Sequence, residues 1–227
     1  MKLLVIIPTQ LERDALERYF TVEHIPSETQ IIGKLSVTYY ASLTITVATG
    51  GLGKTQFAVH TQHLIDAGNW DLVICAGAAG SLVDHLAVGD VIIATETVEH
   101  DIRKIGGQPS PRFGSSEKVV ELYRTIAEAV RPFAVHFAPI ASGDEDVASA
   151  ERRKDIHART MARAVAWEGA GAARACRFSN VPFIEIRSVT DSADHPGVVA
   201  DFKKNVNLAM GNIAVMVIAL AKHFHSV

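Results

Sequence analysis

The sequence predicts an α/β fold in a single domain, and three observations carry that reading. Short aliphatic runs without polar alternation recur along the chain, as in strands covered on both faces. Apolar residues at helical spacing follow these runs, so strands and helices alternate from end to end, which implies a largely parallel or mixed sheet with helices on both faces. With 227 residues, 48% of them hydrophobic and 21% charged, the chain can bury one substantial core over residues 1–227 without a linker.

Leu3 to Ile7 is a continuous aliphatic run and predicts the first strand; Leu11, Leu16 and Phe20 follow at helical spacing. Strand-like stretches at Ile31 to Tyr40 and Leu43 to Ala48 lead to a glycine turn, Gly50-Gly51-Leu52-Gly53, and a helix from Lys54 to Ala67. Leu72 to Ala76 is a strand running into a second glycine turn, Gly77-Ala78-Ala79-Gly80. Asp90 to Val98, rich in Val, Ile and Thr, is another strand. Glycine and proline mark residues 104 to 116 as a loop, long enough for a mobile lid and equally readable as an idle surface excursion. A helix over Glu117 to Val130, a strand over Ala134 to Ala141, a helix over Glu168 to Phe178, a strand over Pro182 to Val189 and a helix over Val199 to Phe224 complete the chain.

A net charge of −3 gives no basic surface for nucleic acid or an anionic membrane, and favours a small neutral or zwitterionic substrate. Cys75 and Cys176 each lie in an apolar stretch, which argues against a disulfide framework and for a reducing, cytoplasmic setting. Leu3 to Ile7 is shorter than a signal-peptide core of roughly 7 to 15 residues. The nine apolar residues Ile213 to Ala221 fall short of the roughly 20 of a membrane span, and point to a core or a subunit interface. The histidines are scattered and no H-E-x-x-H or C-x-x-C spacing occurs, so no metal is assigned.

In sheets of this kind ligands collect outside the carboxyl ends of the strands. There the sequence places Glu12 after the first strand, the two glycine turns, and Asp191 after the last, all on one rim. Glycine lets backbone approach a ligand, although tight turns need it in any case. Gly51-Leu52-Gly53-Lys54-Thr55 is not a triphosphate-binding loop, because that pattern needs glycine where this chain has Ala48. Cys75 likewise breaks the dinucleotide-binding glycine pattern, and without a G-x-S-x-G elbow Ser81 reads as a turn or capping residue.

Five stretches in order resemble the methylthioadenosine/S-adenosylhomocysteine nucleosidase family of the nucleoside phosphorylase/nucleosidase superfamily. They are Thr49 to Lys54, Ala76 to Gly80 with Val88 to Val91, Ser142 to Asp144, Trp167 to Ala170, and Arg187 to Asp194. The resemblance implies a three-layer α/β/α sandwich around a mixed, mostly parallel sheet, a homodimer, no cofactor, and hydrolysis of a purine nucleoside to free base and a ribose derivative. It makes Asp191 the acid that protonates the base, Glu12 the activator of water and Glu168 the holder of ribose hydroxyls. Gly77, Ala78, Asp146, Val147, Trp167 and Phe202 fall at further substrate-binding positions. Glycosidic cleavage builds positive charge on the sugar and negative charge on the base, so an acid near the base and carboxylates near the ribose suit it. Asp191 then needs a pKa raised by burial or by like charge from Asp194, and Glu12 has to stay ionised. Without the family, Asp191 reads as a helix cap, Glu168 as a favourable helix-start charge, and Trp167 and Phe202 as core.

Several positions depart from the family. Asp146 stands where adenine-cleaving members usually have a stacking aromatic; a carboxylate cannot stack but can accept the N1–H of a 6-oxopurine. Ala166 replaces a glutamate, Trp167 a methionine and Ala78 a serine. The Pro8-Thr9-Gln10-Leu11-Glu12 turn also resembles that of futalosine hydrolase, which keeps a 6-oxopurine nucleoside in play. Phosphorylases of this fold have a phosphate-binding arginine where this chain has Cys75, so hydrolysis is favoured over phosphorolysis. A non-catalytic nucleoside-binding member remains the alternative of a different class, against which Glu12, Glu168 and Asp191 are retained together.

Overall fold

A computed structural model describes residues 1–102, 106–129 and 132–226. Ten strands share one sheet: β1 (Leu3–Ile7), β2 (Glu28–Ile32), β3 (Leu35–Tyr40), β4 (Ile45–Thr49), β5 (Leu72–Ser81), β6 (Val91–Glu99), β7 (Arg112–Gly114), β8 (Val135–Ser142), β9 (Ala164–Ala166) and β10 (Phe183–Asp191). Six helices flank them: α1 (Gln10–Val22), α2 (Lys54–Ala67), α3 (Glu117–Ala129), α4 (Ala150–Thr160), α5 (Gly169–Ser179) and α6 (Val198–Ser226). The sheet is mixed as expected. β4, β1, β5 and β10 run parallel through its centre, with antiparallel pairs at the β2–β3–β4 edge. On the other side β10 pairs β6, β6 pairs β8, β8 pairs β9 and β9 returns to β5, so this half closes on itself around the strand ends.

Helices cover both faces of the sheet. On one, α1 and α6 pack Leu16, Phe20, Met210, Ile213 and Val217 against Leu3, Val5, Ile7, Ile74 and Ile186. On the other, α2 and α5 pack Phe57, Leu64, Ala172 and Cys176 against Leu4, Ile6, Val73 and Cys75. Gly171 makes the close α2–α5 approach possible, because a Cβ there would lie 2.3 Å from the Lys54 carbonyl oxygen. α6 satisfies the length and hydropathy of a membrane span, but 56% of that apolar window is buried inside the fold. It is a core helix here.

The differences from the sequence expectations are local. Residues 31–40 form parts of two strands, joined by a two-residue turn in which Gly33 takes φ +60°. The glycine segment after Ala76 is not a turn, since β5 continues through Gly80 paired with β10. Residues 104–116 contain β7, and the described part lines no wall of the cavity discussed below, so nothing there supports a lid; residues 104 and 105, like Val130 at the expected end of α3, lie outside the described residues. α4 and β9 were not expected. α4 is strongly polar and buries only Arg153, Ile156 and Thr160, which leaves little apolar periodicity to read. Cys75 and Cys176 are free and buried.

Candidate active site

A cavity of about 340 Å³ opens at the carboxyl ends of β1, β5 and β10, within the range of small-molecule sites. Its floor is set by Glu12. Thr9 ends the first strand–helix turn as the N-cap of α1: its hydroxyl accepts from the Glu12 N–H (3.2 Å) and donates to Glu12 Oε2 (2.7 Å), while the Thr9 N–H donates to the same oxygen (3.1 Å). This is a capping box whose carboxylate faces inward rather than to solvent. Glu12 Oε1 accepts the Ala78 N–H at 2.8 Å. Gly77 is what allows the approach, for a Cβ would lie 2.6 Å from Arg187 Nη1 and 2.9 Å from Glu12 Oε1.

Arg187 is fully buried beside this pair. Its Nε donates to Glu185 Oε1 (2.8 Å), its Nη1 to the Ala78 carbonyl (3.3 Å), and its Nη2 to Glu168 Oε2 (3.2 Å) and Cys75 Sγ (3.4 Å). Glu185 is held in turn by the Thr97 hydroxyl at 2.5 Å. Glu168 precedes α5, and its Oε1 also receives the Gly53 N–H at 3.4 Å. Burial raises the Glu168 pKa to about 7; Arg187 and the Gly53 N–H oppose the rise and the Glu12 charge adds to it. Burial raises the Glu12 pKa as well, against the Ala78 N–H, Thr9 and Arg187. Desolvation thus makes the Glu12 carboxyl hold its proton more readily than an exposed glutamate does.

Asp191 is the last residue of β10, beyond a register irregularity against β5. Its Oδ2 accepts from the Thr190 hydroxyl (2.9 Å) and its Oδ1 from the Ala193 N–H (3.0 Å), with Ala193 at φ +52°. Its pKa is raised first by burial, against these two hydrogen bonds, with the Asp201 charge adding to the rise. The like charge thus comes from Asp201, not from Asp194. Asp194 turns to the Ser192 hydroxyl at 2.5 Å. Asn205 Nδ2 donates to the Thr190 carbonyl at 2.8 Å and anchors α6 to this strand end.

The cavity wall brings together Glu12, Ala78, Asp146, Val147, Trp167, Glu168, Asp191 and Phe202. Gly77 stands behind the wall, at the Glu12–Arg187 contact. Phe202 lines the cavity and also packs on the core. Asp146 is exposed and Val147 buried. Ser81 is the last residue of β5 and holds the turn that follows, its hydroxyl donating to the Val83 carbonyl at 2.6 Å and accepting the Val83 N–H at 3.2 Å. Sequence reasoning missed Arg187, Thr9 and Leu52 as parts of the site. A signal for the first was present: Glu185 and Arg187 alternate with Ile184 and Ile186 in a buried strand, and charges so embedded need partners.

Comparison with known proteins places this geometry in a family. The family model of the phosphorylase superfamily matches residues 2–222. A 5′-methylthioadenosine/S-adenosylhomocysteine nucleosidase from an Exiguobacterium species is 32% identical over 195 residues, 81% of this chain and 82% of that protein. The Shewanella loihica nucleosidase of the same name is 34% identical over 190 residues, 79% of this chain and 81% of its own length. The crystal structure of the Neisseria meningitidis nucleosidase in complex with methylthio-immucillin-A superposes with a TM-score of 0.87 at 30% identity, covering 98% of this chain and 99% of that one. Futalosine hydrolase of Helicobacter pylori shares the fold, with a TM-score of 0.87 at 24% identity over 98% of both chains. A match across nearly the whole chain, together with a carboxylate-lined cavity at the strand ends, makes this chain a member of the phosphorylase superfamily and, within it, of the 5′-methylthioadenosine/S-adenosylhomocysteine nucleosidase family, an N-glycosidase family.

Proposed function

We propose that the cavity hydrolyses the N-glycosidic bond of a purine nucleoside of the methylthioadenosine/S-adenosylhomocysteine type. Asp191 gives its proton to the departing base. Glu12 takes a proton from water as its oxygen bonds to the anomeric carbon, and Glu168 accepts hydrogen bonds from ribose hydroxyls. The products are free base and the ribose derivative, with the elements of water divided between them. The observation that carries this reading is one cavity lined by Glu12, Glu168 and Asp191, three carboxyl groups whose pKa values burial raises, the first two of them facing the buried Arg187. Trp167, Val147 and Phe202 supply apolar surface for base and sugar.

Water rather than phosphate suits the site. Arg187 is the arginine that lines the cavity among the described residues, and Glu185, Glu168 and the Ala78 carbonyl already hold its donors. A phosphate dianion would have to displace buried carboxylates. Asp146 favours a second reading, a 6-oxopurine base, because its exposed carboxylate on the cavity wall can accept N1–H. We also propose a homodimer as the working form.

The test is base release from methylthioadenosine, S-adenosylhomocysteine, inosine and futalosine in phosphate-free buffer, with wild type and Asp191→Asn side by side. Adenine release from the thio-nucleosides, reduced about 10²- to 10⁴-fold in the variant, is expected. Hypoxanthine alone selects the second reading, and base release only after phosphate is added refutes hydrolysis.

A further inference from the structure

The helix that follows the first glycine turn has no cap of its own. Gly53 is the N-cap of α2 at φ +81° and ψ 158°, and it carries no side chain that could accept the helix's first N–H groups. The acceptor comes from 90 residues further along: Asp144 Oδ1 takes the Lys54 N–H at 2.8 Å. Asp144 is itself held, since its N–H donates to Asp101 Oδ2 (3.0 Å), whose other oxygen receives Lys54 Nζ (2.5 Å). Lys54, Asp144 and Asp101 therefore form a closed ring of hydrogen bonds, which Glu99 extends through its own contact with Lys54 Nζ at 3.0 Å and with Arg174 Nη2 at 2.5 Å. The packing leaves little play: a Cβ on Gly53 would lie 3.3 Å from Asp144 Oδ1.

The Gly53–Lys54 peptide fixed by this ring directly follows the Leu52–Gly53 peptide that touches the site. The Gly53 N–H points at Glu168 Oε1, and the residues directly after Asp144, from Glu145 to Val147, form a wall of the cavity. We infer that Asp144 is a positioning residue, whose carboxylate caps α2 so that the Gly53 N–H is aimed at Glu168 and the 145–147 wall is tied to the same helix start. The inference rests on the proposed role of Glu168 toward ribose. Asp144 does not line the cavity, and acts on Glu168 through the Gly53–Lys54 backbone.

The consequence is electrostatic as well as geometric. Glu168 is faced by Arg187 from β10, by Glu12 from α1 and by the Gly53 N–H, while Glu185 and Cys75 reach it through Arg187. Of these the Gly53 N–H is the contact that Asp144 controls, and it favours the ionised carboxylate. Misaiming it leaves Glu168 protonated to higher pH and weakens its acceptance of ribose hydroxyls on the acidic side.

The experiment is kcat/KM against pH for wild type, Asp144→Ala and Asp144→Asn, with a carbon-13 carboxyl titration of Glu168 in the same unliganded proteins. Asp144→Ala is expected to move both the acidic limb and the Glu168 titration to higher pH. The accompanying loss in kcat/KM at pH 6 is about three- to tenfold, because on the acidic limb the ionised fraction falls at most tenfold when the titration midpoint rises by about one pH unit. Asp144→Asn keeps an Oδ1 acceptor for the Lys54 N–H and is expected to restore both. A folded Asp144→Ala protein with an unmoved Glu168 titration overturns the inference, as does a uniform loss at every pH that asparagine does not rescue. Should the alanine variant fail to fold, Asp101→Asn, which loosens the same ring, is titrated instead, and an unmoved Glu168 there overturns it equally. If wild type releases no base from any nucleoside, the proposed reaction falls, and the carboxyl titration still decides the placement of Asp144.

Discussion

At the scale of single residues, the site holds groups in states that folding alone would not choose. Glu168 is 3% exposed and its pKa stands at about 7, above the ordinary 4.5, chiefly because burial disfavours its charge. A carboxyl whose folded pKa is raised contributes stability that is complete below its unfolded pKa and is lost as pH climbs through the folded value. For Glu168 that window runs from about 4.5 to about 7. Above it, keeping the side chain ionised opposes folding by on the order of 3 kcal/mol. Glu168→Gln removes that penalty and leaves Arg187 paired with Glu185 at 2.8 Å. The variant is expected to melt higher than wild type at pH 8, with the difference shrinking toward zero near pH 5, while base release is largely lost. Thermal unfolding at the two pH values checks this; a difference that does not depend on pH would mean that the Glu168 charge is not what strains the site.

At the scale of elements, legibility follows how each element buries its surface. Leu3–Ile7 and Leu72–Ala76 could be read because a strand covered on both faces must be apolar at every position. α4 could not, because Ile156 is the one apolar residue of the three it buries, and Arg153 beside it is held by donating to the Ser81 carbonyl (3.0 Å) and to Asp84 (2.6 Å). Such partners lie some seventy residues away and leave no periodic trace. Glu12 and Asp191 were legible for a topological reason, being where parallel strands end. Arg187 showed only as a charge embedded in a strand, because its partners are brought together by β5, α5 and β10 meeting around one side chain. α1 joins the two kinds of information, for its capping box can be recognised in Thr9 and Glu12, but only the fold turns Glu12 inward. Thr9→Ala is therefore expected to cost about 1 kcal/mol as a lost cap and also to release Glu12 Oε2, lowering kcat at least tenfold. Thr9→Ser, which keeps the hydroxyl, should restore both in denaturant unfolding and turnover; a full loss of stability with turnover unchanged would separate the cap from the site.

At the scale of the whole molecule, the single chain leaves its cavity with an apolar rim open to solvent. Leu52 and Val199 line the cavity yet are 55% and 51% exposed, and Leu11, one residue before Glu12, is 47% exposed. Apolar side chains that line a ligand cavity from one side and face solvent on the other are poorly used by a monomer, because they neither enclose the ligand nor join the core. A second copy of the chain seated over this rim would bury them and keep bulk water from a reaction that needs one positioned water molecule. The expected solution mass by light scattering is twice the 24.5 kDa of the chain. Leu52→Asp places a charge in that contact, and should shift the mass toward one chain and raise KM about tenfold or more, as the rim no longer encloses the ligand. A wild-type mass of one chain with full base release would show that the rim closes without a partner. A dimeric Leu52→Asp protein with an unchanged KM would move the subunit contact away from the cavity.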